Sequence, residues 1–261
     1  MVIGKLWPIA HAVPLGAEND SWARDAMMSS MGTVVDLLER PTYGLAQIDR
    51  LLGLQIGTAR RWIDGYERAG KQYDPVVRER RTGEEIATWG EFVETRLLSE
   101  YRNAGVPLIR MRPAVEALRQ ELKVRYPLAS ARTWLAAEGR ELVRLVQDKV
   151  GLHPHLALVV VGSGQLLCWS EEADRFRSAI DWTGDGSDAQ PRRLRPVAGI
   201  EEVVVDPLRG FGEPVVRGVR TEIIGELYQA GESQDSIAEV YELPRATIEA
   251  AVRYELLRAA A

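Results

Sequence analysis

Arg60 and Arg61 stand side by side near the start of a short apolar-periodic segment. Two adjacent guanidiniums placed there suit two jobs, bidentate pairing with a guanine edge and charge-assisted contact with phosphate. Gln55 and Thr58, just ahead of them, add polar groups of the kind that pair with bases or phosphates. Lys71, Arg78, Arg80 and Arg81 follow around a turn expected at Asp74-Pro75, and they are read as phosphate-contacting cations of a wing. These eight residues are the candidate DNA contacts. Residues 43–82 carry eight basic and five acidic side chains, a local balance of +3 in a chain whose formal net charge is -5. A binding surface confined to one region gives that inversion of sign.

Other groups able to do chemistry are poorer in partners. His153 and His155 flank Pro154, with no nearby Cys or Asp to complete a metal set, so a loop is expected and no metal. Gly162-Ser163-Gly164 lacks the further glycine a dinucleotide loop needs, since position 167 is Leu, and reads as a hairpin turn. The single cysteine, Cys168, excludes an intrachain disulfide and a cysteine-rich zinc site, and its apolar surroundings suggest core packing. Glu171 and Glu172 fit the first turn of a helix capped by Ser170. No Ser/His/Asp arrangement can be assembled. Neither an enzyme nor a cofactor is expected.

The elements that must position the arginine pair can be read upstream of it. Ile48 and Leu52 face one side of a first helix, and Gly53 supplies a tight turn. Leu54 plugs the core from that turn. Thr58 can cap the second helix, and Ala59 and Trp62 lie on its buried face, with Arg60, Arg61 and Asp64 opposite. Two short helices crossing over a small shared core make a helix-turn-helix. An ordinary helical hairpin would satisfy the same pattern, and the basic residues that follow favour DNA. The expected fold is α+β, mostly helical. A flexible arm spans residues 1–32, a winged helix-turn-helix domain 33–126, a mixed connecting segment and linker 127–196, and a three-helix domain 197–261. Leu142 to Val146 reads as a strand or short helix, Leu156 to Val161 as a buried strand, and the Gly/Asp/Pro/Arg-rich stretch 183–196 as the linker. With no secretory signal and no apolar run of spanning length, the cytoplasm is the expected location.

The run from Tyr43 to Tyr66, with Arg60-Arg61-Trp62 and Gly65, resembles the winged helix-turn-helix of MerR-type regulators. Thr88-Trp89-Gly90-Glu91-Phe92, Leu97-Leu98 and Ala104-Gly105-Val106-Pro107-Leu108 resemble the helix and turn that follow the wing in that family. Two departures stand out. Asp49 occupies a place on the first helix that is usually small, and Pro127 interrupts any long dimerising helix after Leu122.

Farther on, Asp206-Pro207 and the string Gly212-Glu213-Pro214-Val215-Val216-Arg217-Gly218-Val219-Arg220 lead into helices broken at Gly231 and Pro244. Ser233 can cap the middle one, with Ile237, Ala238 and Tyr241 on its buried face. This region resembles a small bacterial antitoxin-like domain family of formerly unknown function. Combined with the MerR-like module, the chain resembles the larger VapB-type antitoxins. The resemblance implies operator DNA and a PIN-like ribonuclease toxin as partners. Residues 213–261 carry five arginines against nine acidic residues, which suits self-association or a basic protein better than phosphates. Ile223, Leu227, Ile248 and Val252 are the candidate partner or dimer contacts, in a homodimer or higher oligomer, and the same four could equally serve the domain's own core. Two other readings fit the same residues: a free-standing MerR-like regulator with a ligand-sensing middle segment, and a protein-interaction adaptor that does not bind DNA.

Overall fold

The computed structural model describes residues 36–259. The expected arm, residues 1–32, lies outside the described residues. The fold is α+β and mostly helical, with strands paired two by two in small antiparallel sheets. Strand β1 (Pro41–Gly44) leads into helix α1 (Leu45–Leu51), and a tight turn follows before helix α2 (Thr58–Ile63). The hairpin of β2 (Tyr66–Arg68) and β3 (Lys71–Tyr73) comes next, and β4 (Ile86–Thr88) returns to pair with β1.

Helix α3 (Trp89–Tyr101) lies at the centre of the main apolar core of the described residues. It starts at Thr88 because Thr88 Oγ1 accepts the Glu91 N–H, while the Glu91 carboxylate accepts the Thr88 N–H, a reciprocal capping box. Trp89, Phe92, Val93, Leu97, Leu98 and Tyr101 are all buried, and the polar Glu91, Glu94, Thr95 and Arg96 between them are buried too. A helix buried on every side needs partners on every side. Helix α4 (Arg112–Leu122) supplies one, and residues beyond 126 supply the rest. Gly90 lets the chain after α4 come close, since a Cβ there would lie 2.6 Å from the Tyr126 ring.

The core therefore continues past residue 126. Leu128, Trp134, Val143, Val146, Leu156, Phe176 and Leu194 join the same apolar cluster as Ile48 and Phe92. They come from α5 (Ala131–Trp134), α6 (Gly139–Lys149), the hairpin β5 (Val159–Val161) and β6 (Leu167–Trp169), α7 (Glu171–Ser178), and the pair β7 (Ile180–Thr183) and β8 (Gln190–Leu194), or from the turns between them. Leu142 to Val146 is helical. Ser170 caps α7 by accepting the Ala173 N–H at 3.2 Å, as the sequence suggested.

Three expectations are corrected here. The stretch 183–196 is not a linker: β8 lies within it and pairs with β7, and the Trp89 indole N–H donates to the Pro191 carbonyl at 2.6 Å. Its arginines are held because Arg192 and Arg193 both reach the buried Asp206 carboxylate, at 3.0 and 3.3 Å. The run Leu156 to Val161 is buried only as far as Val159, and Val160 and Val161 point outward from the hairpin. Cys168 pairs across from Val160 and is exposed rather than in the core.

The C-terminal unit has its own core around Ile200, Val203, Val216, Ile224, Ile237, Ile248 and Tyr254. A short hairpin, β9 (Val215–Val216) and β10 (Val219–Arg220), precedes α8 (Thr221–Gln229), α9 (Gln234–Val240) and α10 (Arg245–Ala259). Ser233 caps α9 by accepting the Ser236 N–H at 3.0 Å. This unit packs directly on β1 and α1. The Tyr43 hydroxyl donates to the Gly212 carbonyl at 3.0 Å, the Gln47 amide to Glu213 at 2.8 Å, and the Tyr254 hydroxyl to the Leu51 carbonyl at 3.1 Å. No helix among the described residues is long and apolar enough to cross a membrane.

Candidate nucleic-acid interface

Helices α1 and α2 enclose a small core of Ile48, Leu51, Leu54, Ala59 and Ile63, all nearly inaccessible. Gly53 holds φ +59 in the turn and Leu54 plugs it from below. The second helix is short, and its N-terminus is not capped by Thr58. Gly57 is the capping position, in the left-handed region, and the cap is borrowed from the first helix. The Asp49 carboxylate accepts the Gly57 N–H at 2.6 Å and the Ala59 N–H at 2.7 Å. An acidic residue on α1 thus fixes the start of α2 and satisfies donors that would otherwise be orphaned. Burial pushes the Asp49 carboxyl above its ordinary range, and the two N–H bonds pull the other way.

Arg60 and Arg61 lie on the outer face of α2 and are exposed. Arg61 is aimed by Thr58, whose hydroxyl accepts from Arg61 Nη2 at 2.8 Å. Thr58 itself is buried, so the structure makes it a support for Arg61 and corrects its place among the surface contacts. Arg60 pairs with Glu85 at the surface. Gln55 is exposed in the turn, beside Ile56, which is 84% exposed. Arg102, at the end of α3, donates to the Gly53 carbonyl at 2.6 Å and lines the same cleft as Gln55 and Arg61.

The wing is the hairpin of Tyr66–Arg68 and Lys71–Tyr73, not the turn at Asp74-Pro75. Its tip is Ala69-Gly70, both with positive φ (+52 and +74), as a two-residue hairpin turn demands. Arg68 and Lys71 face each other at that tip, and Tyr66 stacks on Tyr73 at 4.6 Å. Lys71 keeps its assigned place, 5.4 Å from the Tyr73 ring centroid. Arg80 and Arg81 are exposed but lie in the loop beyond the hairpin, and Arg78 is buried. The assignment of those three to a wing is corrected, because the chain turns back earlier than the Asp-Pro signal indicated.

Arg78 does a different job. Its Nη1 donates to Asp64 at 3.0 Å and its Nε to Glu91 at 2.8 Å. Asp64, expected on the outer face of α2, is instead buried and also accepts the N–H groups of Thr82 and Gly83. Burial alone would raise the Asp64 carboxyl, and the Thr82 and Gly83 N–H groups with the Arg78 guanidinium outweigh it and hold it below its ordinary range. The end of α2, the loop after the wing and the start of α3 are joined by this one buried network.

Residues 41–115 match a sequence family described as "Putative DNA-binding HTH domain", and residues 203–254 match one described as "Protein of unknown function (DUF433)". Two proteins of Mycobacterium tuberculosis are similar over most of their length. "Uncharacterized protein Rv2308" is 36% identical, with 85% of this chain and 93% of that protein aligned. "Putative antitoxin VapB45" is 31% identical, with 77% of this chain and 88% of that protein aligned. The chain belongs to their family. A solved structure, the X-ray crystal structure of Rv2018 from Mycobacterium tuberculosis, superposes with a TM-score of 0.65 at 25% identity, over 83% of this chain and all of the other. The α1–α2 pair with its wing falls inside the residues that match the DNA-binding helix-turn-helix description.

Two of the four candidate partner contacts in the C-terminal unit are also corrected. Ile248 and Val252 are buried in its own core, and Ile223 and Leu227 are half-buried, Leu227 against that core. The apolar side chains of this unit that do face outward include Val240 at 71%, Leu256 at 53% and Leu257 at 48%. Nothing in a helical period distinguishes these from the core set, since α10 is apolar on more than one side. Arg68 was missed for a similar reason: Ala69-Gly70 is a weaker turn signal than Asp-Pro.

Proposed function

We propose that this protein binds operator DNA through α2 and the β2–β3 wing and serves as the antitoxin of a type II toxin–antitoxin pair. It represses its own operon and neutralises a PIN-like ribonuclease toxin. The observation that carries the reading is the outward pair Arg60–Arg61, on a helix clamped at one end by Asp49 and at the other by Asp64–Arg78, beside a basic wing tip. The antitoxin role rests on the relative named as one and on the unit spanning residues 203–254. It works by stoichiometric binding, not catalysis, in the cytoplasm. Two copies reading an inverted repeat place two α2 helices in successive major grooves.

The test has two arms. Mobility shift with the chain's own upstream duplex should show a retarded complex that competes poorly with random duplex. Co-expression with the product of the neighbouring gene should yield a co-purifying complex with its ribonuclease activity suppressed. No shift at low salt removes the DNA reading. A shift without any captured nuclease leaves a MerR-like regulator.

A further inference from the structure

Behind the loop that follows the wing, on the α4 side, the described residues form a cavity of about 280 Å³ next to a second cleft of about 770 Å³. The two share Glu79, Arg80, Arg119 and Arg125. Arg78 forms part of the wall, but its donors are spent on Asp64, Glu91, Thr82 and backbone carbonyls, so it holds nothing further.

The other cations are not spent. Arg119 donates Nε to the Arg125 carbonyl at 3.0 Å and Nη2 to the Val77 carbonyl at 2.6 Å. Those bonds fix the guanidinium plane and leave Nη1 without a hydrogen bond among the described residues. The Arg119 side chain is only 10% exposed, so it is a fixed donor and not a waving one. Arg125 commits Nη1 to Glu39 and keeps Nε and Nη2. Arg80 and Lys123 have no partner among the described residues. Lys123 holds φ +54 at the end of α4, a conformation that costs a non-glycine residue about 1 kcal/mol or more. A cation therefore stands at the cleft mouth where glycine would fit without strain. Against these four cations stand Glu79, exposed and 3.8 Å from Arg119 Nε, and Glu116 at the rim. With Glu39 already on Arg125, the surplus is one positive charge.

We infer that this cleft binds a phosphate-bearing small molecule. A pre-aimed guanidinium donor, Arg119 Nη1, with flanking exposed cations matches the charge and the acceptors of a phosphate dianion. The larger cleft, about 770 Å³, exceeds what a bare phosphate fills and falls within the range of small-molecule sites. The wall of the site is the loop that carries Arg78. The ligand therefore bears on the network that holds the end of α2, and its effect on DNA binding rests on the DNA-binding reading above. Linkage makes the effect reciprocal: a ligand that favours DNA binding is itself bound more tightly by the DNA complex.

Inorganic pyrophosphate is the probe, titrated into the full chain and followed by calorimetry and by melting temperature, with sodium chloride matched for ionic strength. Saturable binding that chloride does not reproduce is expected. R80Q/K123Q removes two cations that hold no other described residue, and it should weaken binding about tenfold or more, the worth of a charge-assisted hydrogen bond. R81Q, outside the cleft, should leave binding unchanged. Equal binding by wild type and R80Q/K123Q, or no binding beyond the chloride control, overturns the proposal. DNA phosphates are the other source of the same chemistry. Pyrophosphate that still binds with a duplex in place, and a DNA salt slope unchanged in R80Q/K123Q, support the small molecule. Displacement of pyrophosphate by duplex, with a flattened slope in R80Q/K123Q, assigns the cleft to the DNA backbone and overturns it. A chain that binds no duplex at all removes the DNA reading and leaves the pyrophosphate titration interpretable by itself.

Discussion

The described residues hold an N-terminal and a C-terminal helix-turn-helix-like unit, and the two differ in what their helix starts and outer faces are made of. In the N-terminal unit the six-residue α2 has no side-chain cap of its own and takes one from Asp49 on the preceding helix. In the C-terminal unit α9 is capped by its own Ser233, and the 15-residue α10 is long enough to be held by packing along its length. The outer face of α2 carries Arg60 and Arg61 beside a basic wing. The outer face of α10 alternates Arg245, Glu249 and Arg253, and Arg245 lies 3.4 Å from Asp235. A helix-turn-helix plan is therefore not in itself a nucleic-acid site. Surface charge and the bracing of a short helix separate the two units. The C-terminal one acts in part as scaffold, since Tyr254 binds the carbonyl that ends α1.

The bracing can be broken first. Arg78→Ala leaves Asp64 and Glu91 buried without their cation, and removing one partner of such a network costs about 3–5 kcal/mol. Thermal or urea unfolding should show it, and a change under about 1 kcal/mol would mean that the network is not holding α2 in place. No substitution of an exposed arginine in the C-terminal unit should approach this effect.

The charge difference is tested on binding. Replacing Arg60 and Arg61 by Ala should weaken operator binding by about 2–5 kcal/mol at fixed salt, with the melting temperature little changed. The parallel double variant in the second unit, Arg245→Ala with Arg253→Ala, should leave DNA affinity where it was. If the second pair costs as much as the first, the acidic unit also touches DNA and the contrast between the two units fails.

Both outcomes depend on how far the sequence already contained them. The α1–α2 pair was legible because its apolar spacing, Gly53 and Leu54 allow little else, and the same holds for Ser170 and Ser233 as caps. What could not be read is long-range. Asp49 looked like a departure from its family pattern because its two N–H partners lie across a turn. Arg78 and Asp64 looked like surface charges because each is buried by the other and by Glu91, and burial of a charge leaves no mark in composition. The span 127–196 looked like a connector because helix α3, buried on all sides, calls for partners that periodicity cannot locate. The wing was displaced because Asp-Pro is a stronger local turn signal than Ala-Gly, although the residue pairing settles on Tyr66 and Tyr73.

Asp49 sharpens the point about borrowed caps. Asp49→Ala should destabilise by about 1–3 kcal/mol, the range for removing a cap that makes buried, charged hydrogen bonds, and should lower DNA affinity as well. Asp49→Asn keeps an acceptor oxygen and should cost under about 1 kcal/mol. Its carboxyl is pushed up by burial, so the stability it lends is fully present below its unfolded value of 3.8 and declines as pH rises through the raised folded value. The Asn variant should lack that dependence in a series of melting curves. An alanine variant as stable as wild type would mean that Gly57 and Ala59 find water instead.

The wing correction has its own signature. Arg68→Ala with Lys71→Ala should flatten the plot of log affinity against log salt by roughly 0.9 for each phosphate that is no longer neutralised, for specific and random duplex alike. Arg81→Ala, beyond the hairpin, should leave the slope unchanged. The reverse result would return the phosphate-binding role to the loop and remove the hairpin from the interface.

The smallest effect concerns the ion pair between Arg60 and Glu85. Both side chains are well exposed, at 44% and 66%, so the pair adds little to folding, on the order of 0–1 kcal/mol before screening. Its consequence is for binding. Arg60 must leave Glu85 to reach a base edge or a phosphate, and the carboxylate left behind then repels the duplex. Glu85→Gln removes both costs. It should tighten DNA binding by up to about 1 kcal/mol at low salt, fading as salt screens the exposed charges. No counterpart should exist in the second unit, where Asp235→Asn frees Arg245 on a face that does not meet DNA. Affinities of the two variants at low and high salt decide the matter. Weaker binding by Glu85→Gln would mean that the carboxylate positions Arg60 for contact and does not mask it.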